Sequence, residues 1–343
     1  MFVKNTWYVA AMPNEIKTGK SLARQICGIS MVFFYDENNQ VVALENFCPH
    51  RGASLSLGTV EEGGIVCGYH GLKVGCDGAP ISMENQDPKK IPCIKAFGAI
   101  EKYGFIWVYA GDKKLADTAL IPKCDWADDE QWAYGGGFFH IKCNYKLMID
   151  NLMDLTHEKY VHLSTIGQEE IDESAVSTQV EDGQITTSRY MNSIIAPAFW
   201  QMCMKKNNLD PMVKVDRWQC SRFVAPCGVL IDVGVAYEGE GGINAPKDKR
   251  VKCIVVDFMT PESEDTMWYF WGMARNFEPH DEELTQSIYE GQGVIFSEDL
   301  EVLEEQHKNH KLFPDKSIIS LDIDTGGKLA RREITRMLKE ENA

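Results

Sequence analysis

Two groups of residues in this 343-residue chain have the side-chain types and spacing to bind metal. The first lies in the stretch from Asp150 to His162, where His157 and His162 stand five positions apart and Asp154 precedes the first by three. On an ideal helix Asp154 and His157 share a face, whereas a five-residue step turns the helix by about 500° and leaves the two imidazoles roughly 140° apart. For both to grip one ion, the helix has to widen into a π-bulge or break near Lys159 and Tyr160. The spacing is not the His-Glu-x-x-His of helical zinc proteases. Two imidazoles suit Fe(II) if a carboxylate from elsewhere completes a facial triad and leaves positions open for O2. Taken alone, the pair is equally compatible with two surface histidines on an amphipathic segment.

The second group is Cys48-Pro49-His50-Arg51-Gly52 and Cys67-Gly68-Tyr69-His70-Gly71, a Cys-x-His and a Cys-x-x-His with sixteen residues between them. Zinc accepts two thiolates and two imidazoles, but its ligand pairs usually come as Cys with Cys and His with His. A mixed pair in each loop suits a Rieske-type [2Fe-2S] cluster, in which histidines replace two cysteines on one iron and raise the potential. Cys48 and Cys67 are then expected on one iron, His50 and His70 on the other. Gly52, Gly68 and Gly71 let the loop backbones crowd the sulfurs. The other nine of the eleven cysteines have no paired metal spacing and read as small buried hydrophobes.

The chain is long enough for two domains. Its 51 acidic against 35 basic residues give a net charge of −16, which opposes nucleic-acid binding. No stretch has the ~20 apolar residues of a membrane span, and Lys4, Glu15, Lys17 and Lys20 interrupt any secretory leader. An odd, scattered set of cysteines fits a reducing compartment, so a cytoplasmic location is expected.

The elements that must carry these residues are readable in outline. Strand-like runs at 5–10, 30–35, 41–44, 65–66 and 105–109, separated by turns such as Asp36–Gln40 and Gly75–Gly78, predict a small all-β domain holding both Cys/His loops. The segment 112–117 reads as the seam, giving domains 1–115 and 116–343. Beyond it, Gly135–Gly137 reads as a turn before a strand, strands are expected at 229–235, 251–258 and 267–273, and Glu238–Gly242 as a mobile loop. A long helix is expected from about Asp281 to His310, broken by Gly291 and Gly293, and a last helix after Thr325-Gly326-Gly327 with Ile334, Met337 and Leu338 as its apolar stripe. Periodicity leaves Glu298, Asp299, Glu301 and Glu304 open as the third ligand.

The loops and the whole N-terminal third resemble the Rieske domain of Rieske non-haem iron oxygenases, with one departure: Leu72 stands where many members have Trp. The resemblance extends over nearly the full chain. It is most specific in Asn5–Ala10, Arg24–Gly28, Phe47–Ala53, Met148–His157, Ile254–Phe258, Trp268–Phe277 and Glu290–Gly293. There the chain is similar to the oxygenase subunits of the vanillate O-demethylase branch.

That resemblance implies an α+β architecture: the all-β [2Fe-2S] domain, then a helix-grip catalytic domain with an antiparallel sheet around a long helix. It implies one cluster and one mononuclear Fe(II) per subunit, the latter held by His157, His162 and, among the four acids, Asp299. Asp154 is expected to join His157 to a neighbouring subunit's His70 in a homotrimer, because the two centres of one chain are too far apart. Asn151 is expected near the iron. The implied activity is that of a monooxygenase that turns vanillate into protocatechuate and formaldehyde. It uses O2 and electrons from NAD(P)H delivered by a separate flavin/iron-sulfur reductase. Demethylation or methyl hydroxylation of another aromatic acid is the alternative enzyme reading. A Rieske electron carrier without oxygenase activity, which would end near residue 115, is the alternative from another class. Arg217, Arg222 and Arg275 are candidates to meet a substrate carboxylate. Trp200, Trp218 and Trp271 are candidates to line an apolar pocket.

Overall fold

Short runs rich in aromatic and β-branched residues, punctuated by glycine and Asx turns, become strands in the first third of the chain. The structure, a computed structural model, describes residues 1–162, 166 and 174–342. By its contacts the chain divides into two units: Met1–Lys123 with Thr260–Glu264 and Glu340–Ala343, and Cys124–Met259 with Asp265–Lys339.

The first unit holds β1 (Trp7–Ala11), β2 (Leu22–Ile26), β3 (Ile29–Tyr35), β4 (Val41–Glu45), β5 (Thr59–Glu61), β6 (Gly64–Val66), β7 (Lys73–Gly75), β8 (Pro80–Ser82), β9 (Ala96–Lys102) and β10 (Phe105–Tyr109). Six of them form one sheet in the order β1-β10-β9-β4-β3-β2, and the four short ones form a second, β5-β6-β7-β8. The hairpin expected around Asp36–Gln40 pairs Met31 with Glu45 through Tyr35 with Val41. One apolar core, including Val32, Phe34, Leu44, Ile65, Leu72 and Val74, also contains Cys48 and Cys67. Leu72 is fully buried in that core. The departure from the family's Trp is thus a packing substitution and presents nothing at the surface.

The second unit is built on β11 (Ala133–Ile141), β12 (Val176–Glu181), β13 (Gln184–Ile195), β14 (Lys214–Val224), β15 (Gly228–Tyr237), β16 (Arg250–Pro261) and β17 (Met267–Arg275). They form one antiparallel sheet in the order β11-β17-β16-β15-β14-β13-β12. Among the described residues its helices are α1 (Tyr145–Leu152), α2 (Glu158–Val161), α3 (Ala198–Lys206), α4 (Glu282–Leu312) and α5 (Thr325–Glu341). Together the units give the all-β domain and the sheet-and-long-helix domain of the expected α+β class.

Four local expectations are corrected. The glycine triplet 135–137 lies inside β11 and not in a turn. A Cβ at Gly137 would meet the Tyr289 ring of α4 at 3.1 Å, and one at Gly136 would collide with the Trp271 carbonyl. Close packing of strand, neighbour and helix, not a bend, selects glycine there. Helix α4 runs unbroken for 31 residues through Gly291 and Gly293. Gly293 lies against Trp271, 3.3 Å from where a Cβ would stand. Gly326 and Gly327 belong to α5, where they allow close approach to the Met153 carbonyl and to Asp150. Finally, the Asp150–His162 stretch is not one helix. It stops at Leu152, and a single turn, α2, resumes at Glu158, so no break falls near Lys159 and Tyr160.

Candidate functional sites

The two Cys/His loops are built alike. In each, the cysteine N–H donates to the carbonyl five residues on, Cys48 to Ala53 and Cys67 to Leu72, both at 2.8 Å. The glycine four residues on donates back, Gly52 to the Cys48 carbonyl at 2.8 Å and Gly71 to the Cys67 carbonyl at 3.0 Å. Both glycines need positive φ, 71° and 69°, which residues with a Cβ rarely adopt. The thiols lie buried in the core while His50 and His70 are exposed at the loop tips. Their rings are packed edge to face with centroids 4.5 Å apart. Burial pushes the Cys48 thiol above its ordinary range, and the N–H groups of His50 and Arg51 pull it partly back. His70 is held below the usual histidine range, by desolvation first and then by His50 and Arg51. A low-lying imidazole stays neutral, as a metal ligand must. Two buried thiols beneath two exposed imidazoles, with backbone donors aimed at a sulfur, fit a Rieske cluster.

The second site begins where the chain breaks after α1. Asp154 Oδ1 accepts from Thr156 N and Oγ1, both at 2.7 Å, which fixes the turn leading to His157. His157 and His162 then stand at the two ends of α2, so one helical turn spans them. This is how a five-residue spacing puts both imidazoles on one site, with centroids 5.4 Å apart. Asp299 enters from α4. Its Oδ1 is 3.7 Å from His157 Nε2 and its Oδ2 3.3 Å from His162 Nε2. Among the described residues, these three are the one group of His, Cys, Asp and Glu side chains whose donor atoms converge, all within 4.8 Å, for a single metal ion.

The surrounding bonds set the ring tautomers. His157 Nδ1 is 2.6 Å from the Asp154 carbonyl and His162 Nδ1 2.7 Å from Glu298 Oε2. Both oxygens can only accept, so each Nδ1 carries the proton and each Nε2 presents a lone pair toward Asp299. Burial lowers the proton affinity of His162, but Asp299 and Glu298 outweigh it and the net shift is upward. Asn151 Nδ2 donates to Asp299 Oδ1 at 2.9 Å. Its Oδ1 is buried with no hydrogen-bond partner among the described residues, an acceptor available to what the site binds. Two imidazoles and a carboxylate, each oriented by a second group, fit a mononuclear non-haem iron. Asp154 Oδ2 lies 3.9 Å from His157 Nδ1, beyond hydrogen-bond reach.

Three further residues belong to this site that sequence reasoning passed over, Glu158, Arg189 and Gln219, while Glu298, one of the four acids open as a ligand, instead holds His162 Nδ1. Arg189 is fully buried. It donates to the Leu155 carbonyl at 2.6 Å, to Glu158 Oε2 at 2.7 Å and to Gln219 Oε1 at 2.6 and 3.1 Å. Gln219 Nε2 closes the ring on Glu158 Oε1 at 2.8 Å. This clamp fixes the segment that carries His157. A signal was available: Ile185, Thr187, Arg189 and Met191 alternate as the inward row of β13, and Val215, Arg217, Gln219 and Ser221 as that of β14. Polar residues on the buried phase of a strand point to a site.

A cavity of about 590 Å³ adjoins the three ligands. Its walls include Leu155, Phe199, Trp200, Ile231, Val255 and Met273, with Arg217 and Gln219 on the sheet side. Of the residues considered for the substrate, Arg217 and Trp200 border it. Arg275 is instead spent on the Glu278 and Asp281 carbonyls at 2.9 and 2.8 Å, and Arg222 is exposed. Trp218 donates to Asp232 at 2.8 Å, and Trp271 packs against Tyr289 and Phe296.

Comparison with known proteins gives matches over both parts of the chain. Residues 6–102 match the Rieske [2Fe-2S] domain, and residues 141–340 match the vanillate O-demethylase oxygenase C-terminal domain. The chain is 54% identical, over 99% of its length and 96% of the other's, to the vanillate O-demethylase oxygenase subunit of Pseudomonas sp. strain HR199. It is 29% identical, over its whole length and 99% of the other's, to the oxygenase component of dicamba O-demethylase of Stenotrophomonas maltophilia. The crystal structure of dicamba monooxygenase bound to 3,6-dichlorosalicylic acid superposes with a TM-score of 0.90 at 30% identity, covering 100% of this chain and 99% of that one. A further structure of that enzyme, with non-haem iron and dicamba, gives 0.84 at 29% identity, covering 99% and 98%. The chain therefore belongs to the Rieske-type oxygenases, in the family of the vanillate O-demethylase oxygenase subunit.

Proposed function

We propose that this chain is the terminal oxygenase component of a demethylase that converts vanillate to protocatechuate and formaldehyde. The observation that carries the reading is the cavity: apolar walls sized for a small aromatic come up to His157, His162 and Asp299. The overall reaction consumes vanillate, O2, NAD(P)H and a proton and yields protocatechuate, formaldehyde, water and NAD(P)+. The hydroxylated methoxy carbon leaves as formaldehyde when the hemiacetal collapses.

We assign the cluster to Cys48, His50, Cys67 and His70 and the mononuclear iron to His157, His162 and Asp299. When bound, the cluster supplies electrons one at a time and the iron supplies the activation of O2. Everything else falls to side chains. Glu298 and the Asp154 carbonyl hold the imidazoles in the ligating tautomer, and Asn151 holds Asp299 against rotation. The Arg189–Glu158–Gln219 clamp keeps the histidine-bearing turn in place. Apolar walls exclude water from the reacting methyl group.

In this proposal residues 1–115 form the cluster domain and 116–343 the catalytic domain. Asp154 connects His157, whose Nδ1 its backbone carbonyl holds, to His70 of a neighbouring subunit, which its carboxylate meets, in a homotrimer. As an oxygenase component the chain works with a separate reductase, which we propose to be a flavin/iron-sulfur protein using NAD(P)H. Eleven cysteines with no disulfide among the described residues support a reducing cytoplasm, and no helix among the described residues is long and apolar enough to cross a membrane. The test is formaldehyde and protocatechuate release from vanillate with O2 uptake in the same vessel. Products in step with oxygen are expected. Uptake without formaldehyde would overturn vanillate as substrate in favour of another methoxylated acid, the kind of reaction the dicamba relative's name describes.

A further inference from the structure

We infer that the side-chain amide of Gln292 reads the hydroxyl group next to the reacting methoxyl, so that the cavity prefers 4-hydroxy-3-methoxybenzoates to acids lacking that hydroxyl. The inference rests on the demethylase reading and names a residue that sets its substrate preference. Gln292 borders the cavity from α4 and is 7% exposed. Its amide hydrogen-bonds to no described residue, and neither amide atom is sealed off as Asn151 Oδ1 is. The open side of this buried amide is therefore the cavity it borders. A buried amide without a partner costs free energy in the fold and recovers it when a ligand supplies the missing hydrogen bonds.

The chemistry of the wall narrows what those ligand groups are. Among the other described polar side chains on it, Arg217 and Trp200 can only donate. Glu158 accepts from Arg189 and Gln219, and Gln219 Oε1 accepts from Arg189. The Ser287 hydroxyl is turned back onto its own helix, donating to the Glu283 carbonyl at 2.9 Å. His157, His162 and Asp299 converge on the metal position. Asp154 holds Thr156 and, in the proposal above, a neighbouring subunit's His70. Gln292 Oε1 is thus the neutral acceptor left for a ligand. Of the three oxygen groups of vanillate, the carboxylate and the ether only accept, and the hydroxyl is the one that donates. A carboxylate would satisfy the amide N–H groups and leave Oε1 facing negative charge. The hydroxyl and the ether, on adjacent ring carbons, match both ends of the amide, the first donating to Oε1 and the second accepting from Nε2. Placement on the helix agrees. Gln292 stands seven residues before Asp299 on the same buried stripe, two turns or about 10.5 Å along the axis, with Phe296 between them. The amide therefore shares a helix face with an iron ligand, at the end of the cavity where the methoxyl reacts.

The experiment is anaerobic calorimetric titration of the intact protein, carrying both metal groups, with vanillate and with 3-methoxybenzoate, which keeps the acid and the ether but lacks the hydroxyl. The wild type, Gln292→Met and Gln292→Leu are compared without reductase or turnover, at a pH where the phenol keeps its proton. The wild type is expected to prefer vanillate by about 5- to 20-fold. Both variants should lose that preference while binding 3-methoxybenzoate no more than about twofold more weakly than the wild type does. A preference retained in either variant overturns the assignment, as does a wild type that does not discriminate. An equal loss for both acids also overturns it, since the amide would then serve the shared carboxylate or the packing. The amide makes no bond that the fold would lose, so the thermal midpoint of Gln292→Met should not fall. If that variant nevertheless fails to fold, Gln292→Leu decides the question. Formaldehyde release by the wild type is read separately. A working demethylase whose preference survives in the variants refutes the role of Gln292 alone, whereas no formaldehyde from either acid refutes the demethylase reading.

Discussion

Asp299 is 2% exposed, and a carboxylate buried that deeply is tolerated only with partners. It has Asn151 on one oxygen and an imidazole facing each. Its place could have been read from phase. Leu284, Ile288, Gln292, Phe296, Asp299 and Leu303 recur at helical steps of three and four as the buried stripe of α4. Of the four acids, only Asp299 falls on that stripe, between Phe296 and Leu303. Glu298 was not legible in the same way, because its use depends on which ring nitrogen of His162 comes to face it. Replacing Asp299 by Ala is expected to lower affinity for the mononuclear iron by at least about 10-fold and leave the cluster's visible absorption intact, as metal analysis and absorption spectra would show. Iron at full stoichiometry would sink the assignment. Asp257 makes a different prediction. It is fully buried, accepts from Tyr269 at 2.6 Å, and burial raises its pKa from 3.8 to about 8. The folded state then keeps a proton that the unfolded chain releases near pH 3.8. Stability is fully present below that value and declines as pH rises toward 8. Asp257→Asn cannot ionise, so its thermal midpoint should fall less between pH 5 and pH 8 than the wild type's. Parallel curves for the two proteins would refute the shift.

At the scale of elements, the site depends on a strand face holding a broken helix. The Asp150–His162 stretch reads as continuous helix by composition. It breaks because Asp154 caps Thr156 and because Arg189 draws in the Leu155 carbonyl, a long-range bond that local pattern does not contain. The strands themselves were legible from β-branched and aromatic runs. The glycines of β11, α4 and α5 misled, since each is explained by a neighbour distant in sequence: Tyr289, Trp271 and Met153. Arg189→Met removes donors from the Leu155 carbonyl, Glu158 and Gln219 together, leaving a buried carboxylate uncompensated. A loss of about 3–5 kcal/mol in unfolding free energy is expected, by analogy with other broken buried ion pairs. Bound mononuclear iron should fall with it, and Arg189→Lys should recover part of both. Iron content and unfolding free energy unchanged in Arg189→Met would show that α2 holds itself.

At the scale of the whole molecule, the proposed trimer makes each iron depend on a neighbour's cluster. The sharpest consequence concerns mixed assemblies. One variant, Asp299→Ala, is built to lack the mononuclear iron; another, with Cys48 and Cys67 both changed to Ser, is built to lack the cluster. Each alone should be inactive in formaldehyde release, because every iron lacks a cluster or every cluster lacks an iron. Co-expressed in equal amounts and randomly assembled in a closed ring, about a quarter of the positions should place an intact iron beside a neighbour's intact cluster. Activity should return to roughly that fraction of the wild type per chain. Electron transfer within one chain predicts none, since no chain in the mixture carries both centres. Adding Asp154→Ala to the iron-bearing variant should abolish the rescue with its iron retained, because the proposal routes the connection through the aspartate beside that iron. Rescue that survives this third substitution would keep the trimer and remove Asp154 from the path.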